Sequence, residues 1–508
     1  MATPKTRRKR ASAGGAPQAQ AQAQRPPDQR RKTHAQPKSK APRQGGAAQV
    51  EALPVQHPHA AGIDIGSRSH WVCVGFTTGA DSHSIREFPA HTDGLKAIAA
   101  FLREHQVDTV ALESTGIYWI PLYELLAAEG FEVLLVDPSY THQLKGRPKT
   151  DRRDCQWIYR LHSVGLLAAA FRPDEQTCQL RAYLRQRANL VRAASRHVQH
   201  MQKALEQMNL KLTEVLSDIT GLTGQAIIRA ILRGTRAPEK LAKFRDKQCK
   251  ASEAEIAQAL TGSYREEHLF ELKLAHEAWQ FTLRQIEQVD GQIVLQLGRM
   301  RCDRALPPLK PKARPKRRAN SPRFDVRTAL YYVVGLDLTE IEGISELTAL
   351  TVISEIGPGV SRFASVKKFC SWLGLCPNWK KTGGRVKSSR TRRGVNRAAQ
   401  ALRVAAQSLH HSKGALGGFL RRMKGRLGAQ AALTATAHKL ARIVYQALRH
   451  GLTYVRRGQE EYEAQMKEKL LKALRRKARQ LGLEVVEKTS AGIPTTTAPP
   501  ARLQTARK

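Results

Sequence analysis

Between Gly62 and Asp154 short apolar runs alternate with helical segments, and carboxylates stand at their ends. Gly62-Ile63-Asp64-Ile65-Gly66 places Asp64 at the close of one run, and Val107 to Glu113 places Glu113 at the close of another. Lys149-Thr150-Asp151-Arg152-Arg153-Asp154 opens a helix whose two acids, three residues apart, face the same side. Residues 60 to 78 alternate around Ile63, Ile65, Val72 and Val74, broken by Gly66-Ser67, which predicts the start of a β-hairpin. Leu95 to Glu104 and Tyr118 to Ala128 read as helices, and Phe131 to Asp137 as a buried strand closed by Pro138. Strand and helix in alternation predict an α/β sheet. Gly66 allows a tight turn and close approach of a ligand beside Asp64.

Four carboxylates in so small a region need a reason, because the chain as a whole is strongly basic. Its 508 residues carry 85 Lys and Arg against 43 Asp and Glu, a formal charge of +42. That excess goes beyond what solubility requires and points to a polyanion. No apolar run of eighteen residues is present, so a membrane partner is not expected. The seven cysteines are scattered with no CxxC pair, which argues against a zinc site or a disulfide framework and fits a reducing cytoplasm. Cys370 and Cys376 read as apolar fillers.

Each acid alone has an ordinary role open to it. Asp64 would serve to cap a turn, and Asp151 would serve as a helix N-cap with Asp154 aligned to the helix dipole. Together they match a different need. Mg²⁺ takes hard oxygen ligands and keeps positions for water and phosphate. Two such ions about 4 Å apart clamp the attacking and leaving oxygens of a phosphodiester. Asp64, Glu113, Asp151 and Asp154 are therefore the candidate metal ligands, with Mg²⁺ as the expected cofactor.

Six regions are expected along the chain. Residues 1–57 form a basic, Ala/Gln/Pro-rich arm with almost no large apolar residues, expected to be disordered. Residues 58–172 form the α/β domain. In 173–303, Leu184, Val191, Val198, Leu205 and Leu212 recur every seven residues, with Ala194, Met201 and Met208 between them. Leu272, Trp279, Ile286, Ile293 and Met300 form a second such row, with Leu283 and Leu297 between. These rows predict a coiled coil, within one chain or between two. Residues 304–323 read as a basic Pro-rich linker, 324–482 as a mostly helical C-terminal domain, and 483–508 as a disordered tail.

The C-terminal domain holds a second candidate site. Ile341-Glu342-Gly343-Ile344 and Glu355-Ile356-Gly357-Pro358-Gly359 flank an apolar helix, a helix-hairpin-helix-like pattern that presents backbone N–H groups to DNA phosphates. From Lys380 to Arg397 eight cations (Lys380, Lys381, Arg385, Lys387, Arg390, Arg392, Arg393 and Arg397) occur without an acid. That density predicts salt-dependent attraction to a phosphate backbone.

The order Asp64, Glu113, Asp151, Asp154 resembles the DEDD motif of the insertion-sequence transposases of the IS110 family. The resemblance covers roughly residues 60 to 450. It implies a RuvC-like, ribonuclease-H-fold domain with a mixed sheet holding the four acids and Mg²⁺, followed by a transposase domain. In that second domain a serine beside glycines attacks DNA to give a covalent intermediate. Leu375-Cys376-Pro377 followed by Thr382-Gly383-Gly384 is similar to the block that carries this serine, but the serine position holds Thr382. The resemblance makes Thr382 the expected nucleophile. Ser388 or Ser389 stays open as the alternative, as does a weakened copy. It further implies DNA donor and target, a structured bridge RNA as guide, and a dimer or tetramer in which one subunit's acids meet another's hydroxyl. A cytoplasmic, nucleoid-associated location follows. The rival readings are a Holliday-junction resolvase-like nuclease using water as nucleophile, and an inactive copy that only binds nucleic acid. A sugar-kinase reading of Gly-Ile-Asp-Ile-Gly is weaker, because no second phosphate loop follows.

Overall fold

β1 (Ala60–Ile65) divides the N-terminal unit into two faces because its side chains alternate. Ala61, Ile63 and Ile65 join a core with residues of the helices α1 (Thr92–Glu104) and α2 (Trp119–Ala128). Gly62 and Asp64 face the other way, towards α3 (Asp151–Ser163). This is a computed structural model, describing residues 53–75, 83–114, 116–137, 150–312, 320–392, 394 and 396–486. The basic arm up to 52, Lys149, the middle of the expected linker (313–319), Arg393 and the tail from 487 lie outside these residues.

Among the described residues five strands form one mixed sheet in the order β3-β2-β1-β4-β5. β2 (Ser69–Gly75) and β3 (His83–Pro89) run antiparallel to their neighbours. β4 (Thr109–Glu113) and β5 (Glu132–Val136) run parallel to β1. Gly66 closes the β1–β2 turn, its N–H donating to Ser69 O at 3.0 Å. The α/β expectation holds. β3 went unread in the sequence because it is an edge strand with only Phe88 buried, so its alternation is faint.

The second unit, residues 171–508, is built on two long helices, α4 (Glu175–Gln207) and α5 (Glu266–Arg299). They pack antiparallel within the chain. Gln296 Nε2 donates to Gln176 O at one end, and Met201 and Leu205 share a core with Leu272 at the other. Of the predicted rows, Ala194, Met201, Leu205 and Met208 are buried, and Leu184, Val191 and Val198 are half-buried beside them. The buried row on α4 is Leu180, Arg187, Ala194 and Met201, and it contains an arginine. Arg187 is buried against Asp290 of α5 (Nε to Oδ1 2.5 Å), and Asp290 also accepts from Arg323 N at 3.1 Å. Arg187 is the charged member of this row, and an apolar pattern passes over it. Leu212 is not on this helix: α4 ends at Gln207, and Asn209 turns left-handed (φ +56°).

The C-terminal helices share a core with the ends of this pair. α6 (Val326–Val334), α7 (Glu346–Ile356), α8 (Val366–Trp372), α9 (Arg397–Ser408), α10 (Ala415–Leu427) and α11 (Ala429–His450) gather Leu350, Ile353, Phe369, Leu402 and Leu440 around Leu180, Ile293 and Leu297. The helical region and the C-terminal domain, expected as separate pieces, thus form one compact unit. The described part of the expected linker packs on it: Tyr331 Oη donates to Pro307 O at 2.7 Å and Arg327 Nη2 to Lys310 O at 2.9 Å. α12 (Leu452–Gln480) follows. No helix among the described residues is long and apolar enough to cross a membrane.

Candidate active site

The four acids stand on two strand ends and one helix start. Gly62 pairs with Ala111 and Ile63 with Leu112 in the parallel β1–β4 ladder. One step further along this register sets Asp64 beside Glu113, on strands about 4.8 Å apart. Ala111, two residues before Glu113, packs against Ile158 of α3, so Glu113 shares the α3 face of the sheet with Asp64.

The direction of α3 follows from its contacts. A Cβ on Gly62 would overlap Tyr159 N and lie 2.6 Å from Cys155 O, so only glycine lets the helix backbone rest on β1 here. Further along, His162 Nε2 meets Thr109 Oγ1 at 3.0 Å, at the start of β4. Ser163 O accepts from Gln56 N and His57 N at 2.7 and 2.9 Å, before β1 begins. α3 therefore runs antiparallel to β1 and β4. Its first turn, with Asp151 and Asp154, stands at the strand ends that carry Asp64 and Glu113.

Asp151 does not cap this helix. Thr150 is the N-cap, its hydroxyl accepting from Arg153 N at 3.4 Å, which leaves both aspartates inside the first turn. Exposure grades across the set: Glu113 is buried, Asp64 and Asp154 are half-buried, and Asp151 is exposed. The Cys155 thiol is pushed far up by its hydrogen bond to Cys73 and by burial, with the charge of Asp64 adding to the effect. Cys155 is thus held as a thiol, and the acids at this edge offer carboxylate oxygens, the kind a hard divalent cation takes. Among the described residues, however, no three His, Cys, Asp or Glu side chains are gathered closely enough to hold a metal ion.

The basic stretch of the second unit is not a loop but a two-stranded ribbon. β6 (Lys380–Thr382) pairs antiparallel with β7 (Arg385–Ser388) around Gly383-Gly384. Both glycines have positive φ (+54° and +75°), as a two-residue hairpin turn between right-twisted strands requires. Gly-Gly between Lys-Lys-Thr and Arg-Val-Lys was the sequence signal for it. Thr382 lies directly opposite Arg385 and shares its face, and a register shift between Lys380 and Lys381 sets Lys380 opposite Ser388. Lys380, Lys381, Thr382, Arg385, Lys387, Arg390 and Arg392 are exposed, and Arg397 is half-buried at the start of α9. Ser388 is half-buried and its hydroxyl accepts from Arg390 N at 3.3 Å, whereas Thr382 stands exposed at the ribbon tip.

The helix-hairpin-helix-like segment is placed differently from the expectation. Gly343 takes φ +86°, as the turn requires, but the hairpin is turned inward. Glu342 accepts from Ser412 Oγ, and from Leu416 N at 3.2 Å, so its carboxylate serves the start of α10, whose own N-cap is Gly414.

Two family models match the two segments that carry these features. The IS110 transposase DEDD domain, described as Transposase, matches residues 61–210, and the domain described as Transposase IS116/IS110/IS902 family matches residues 337–417. The chain belongs to the IS110 family of transposases. No curated protein matches it. In this IS110-family chain the first matched segment contains Asp64, Glu113, Asp151 and Asp154, and the second contains the whole basic ribbon with Thr382.

Proposed function

We propose that this transposase cuts and rejoins DNA by phosphoryl transfer, with the Thr382 hydroxyl as nucleophile and the four acids as holders of Mg²⁺. The observation that carries this reading is the meeting of the α3 first turn with the ends of β1 and β4, which puts Asp64, Glu113, Asp151 and Asp154 at one edge of the sheet. Carboxylate oxygens are the donors that a hard divalent cation takes. Bound there, Mg²⁺ would neutralise charge on a scissile phosphate. The chain's own part is to present the nucleophile. Thr382 Oγ1 gives up its proton and bonds to phosphorus, the bond from phosphorus to the leaving sugar oxygen breaks, and that oxygen takes up a proton. Rejoining is the reverse with a new sugar hydroxyl. Arg385, on the same ribbon face as Thr382, counters the charge that builds on the phosphate oxygens. The methyl group of Thr382 narrows the rotamers open to the attack. A bridge RNA guides the choice of donor and target DNA, and the protein works as a homodimer or tetramer.

The test uses full-length protein with Mg²⁺, suicide DNA carrying the element's ends, and RNA from the flanking region. Asp64→Asn and Asp154→Asn are expected to lower cleavage by about 100-fold or more while DNA binding persists, and chelation of the metal is expected to stop cleavage. Full activity in either variant overturns the metal site. Cleavage with no protein–DNA adduct points instead to a resolvase-like nuclease. Binding with neither cleavage nor adduct points to an inactive copy.

A further inference from the structure

The ribbon has a second face that the chemistry above leaves unused. Lys381 and Val386 pair on the side opposite Thr382, and Trp379 stands at the foot of the ribbon, immediately before β6. Trp379 is 59% exposed and Val386 49%. The foot of the ribbon is fixed beside Trp379: Asn378 N donates to Arg390 O at 3.0 Å, and Pro377 bridges to Thr391. An indole is thus held in solvent on a firm base, next in sequence to eight cations that run from Lys380 to Arg397 without an acid.

We propose that Trp379 is a stacking platform for an unpaired DNA base near the cleavage point, with Lys381 on the adjoining phosphate. The charge of the ribbon selects a polyanion, and an exposed indole gains by covering its face with the flat face of a base. A protein partner would have to meet the ribbon's cations with its own acids, whereas a nucleic-acid strand supplies phosphate and base together. The distance fits a single strand near the cut. Trp379 lies three residues from Thr382, about 10 Å along an extended strand, or about three stacked nucleotides at about 3.4 Å each. The inference deepens the proposed function by naming the unpaired strand as the ribbon's ligand, and it is tested by binding rather than by cleavage.

The experiment compares full-length wild type, Trp379→Ala, Trp379→Phe and Lys381→Gln on a labelled single-stranded DNA, its duplex and a single-stranded RNA of the same sequence. Trp379→Ala is expected to weaken single-stranded DNA binding roughly 5- to 150-fold and to change duplex binding by less than about threefold. Trp379→Phe is expected to keep most of the affinity. Lys381→Gln is expected to reduce the salt dependence of binding by about one phosphate contact. Tryptophan emission quenched by single-stranded DNA in wild type, and less so in Trp379→Phe, supports the proposal even if Trp379→Ala folds poorly. Unchanged single-strand affinity in Trp379→Ala, equal losses on single strand and duplex, or a loss confined to RNA each overturns it. A selective loss in a protein that forms no covalent adduct would uphold the platform and refute Thr382 as nucleophile, so the two failures are told apart.

Discussion

At the residue scale, Asp64 and Glu113 were legible because each ends an apolar run, and a polar group that ends a buried strand is conspicuous. Gly62 was legible only as part of a motif. Its reason is steric: the backbone of α3 at Cys155 and Tyr159 occupies the space of a Cβ. Thr150 was missed as the cap, since the acid that follows it is an equally good candidate by residue type. His162 was not singled out. It is buried, stacked on His57 with ring centroids 4.9 Å apart and bonded to Thr109. Burial, with the neighbouring His57 adding, pulls its pKa down to about 4. Between that value and the ordinary 6.5 the unfolded chain binds the proton that the folded chain refuses, so stability rises with pH across this window. The contribution is complete above pH 6.5 and is lost as the pH falls towards 4. The thermal midpoint should therefore fall on going from pH 7 to pH 5, and His162→Gln should fall less steeply. An equal slope in the two proteins would contradict this account of His162.

At the element scale, periodicity correctly marked two long helices and most of their contact line. It passed over Arg187 in the buried row of α4, because apolar counting penalises an arginine. Periodicity also cannot say whether two seams meet within one chain; the Arg187–Asp290 pair does, because both residues are buried together. Removing one partner leaves a buried charge unpaired. Asp290→Ala should cost about 3–5 kcal/mol in denaturant unfolding, whereas Arg187→Met with Asp290→Leu should come close to neutral or stabilise. A loss below about 1 kcal/mol in the single variant would show that the pair behaves as a surface ion pair. The ribbon shows the opposite balance of signals. Its charge was obvious in the sequence and its strands were not, because a two-stranded ribbon exposed on both faces has no apolar alternation to read. Only Gly383-Gly384 marked the turn.

At the scale of the whole molecule, two matched segments carry two unlike sets of groups. The first unit supplies oxygen donors at one edge of a mixed sheet, and the second supplies an exposed hydroxyl on a cationic ribbon. Neither is complete for strand transfer alone: acids without a nucleophile cut only with water, and a hydroxyl without charge neutralisation attacks a phosphodiester slowly. The proposed function therefore stands on both sets serving the same phosphate. The most direct measurement traps the protein on suicide DNA in Mg²⁺, digests the adduct and maps the DNA-linked residue by mass spectrometry. The account predicts attachment at Thr382, lost in Thr382→Ala, restored in Thr382→Ser and unaffected in Ser388→Ala. Attachment at Ser388 or Ser389, or efficient cleavage with no linked residue, would contradict it.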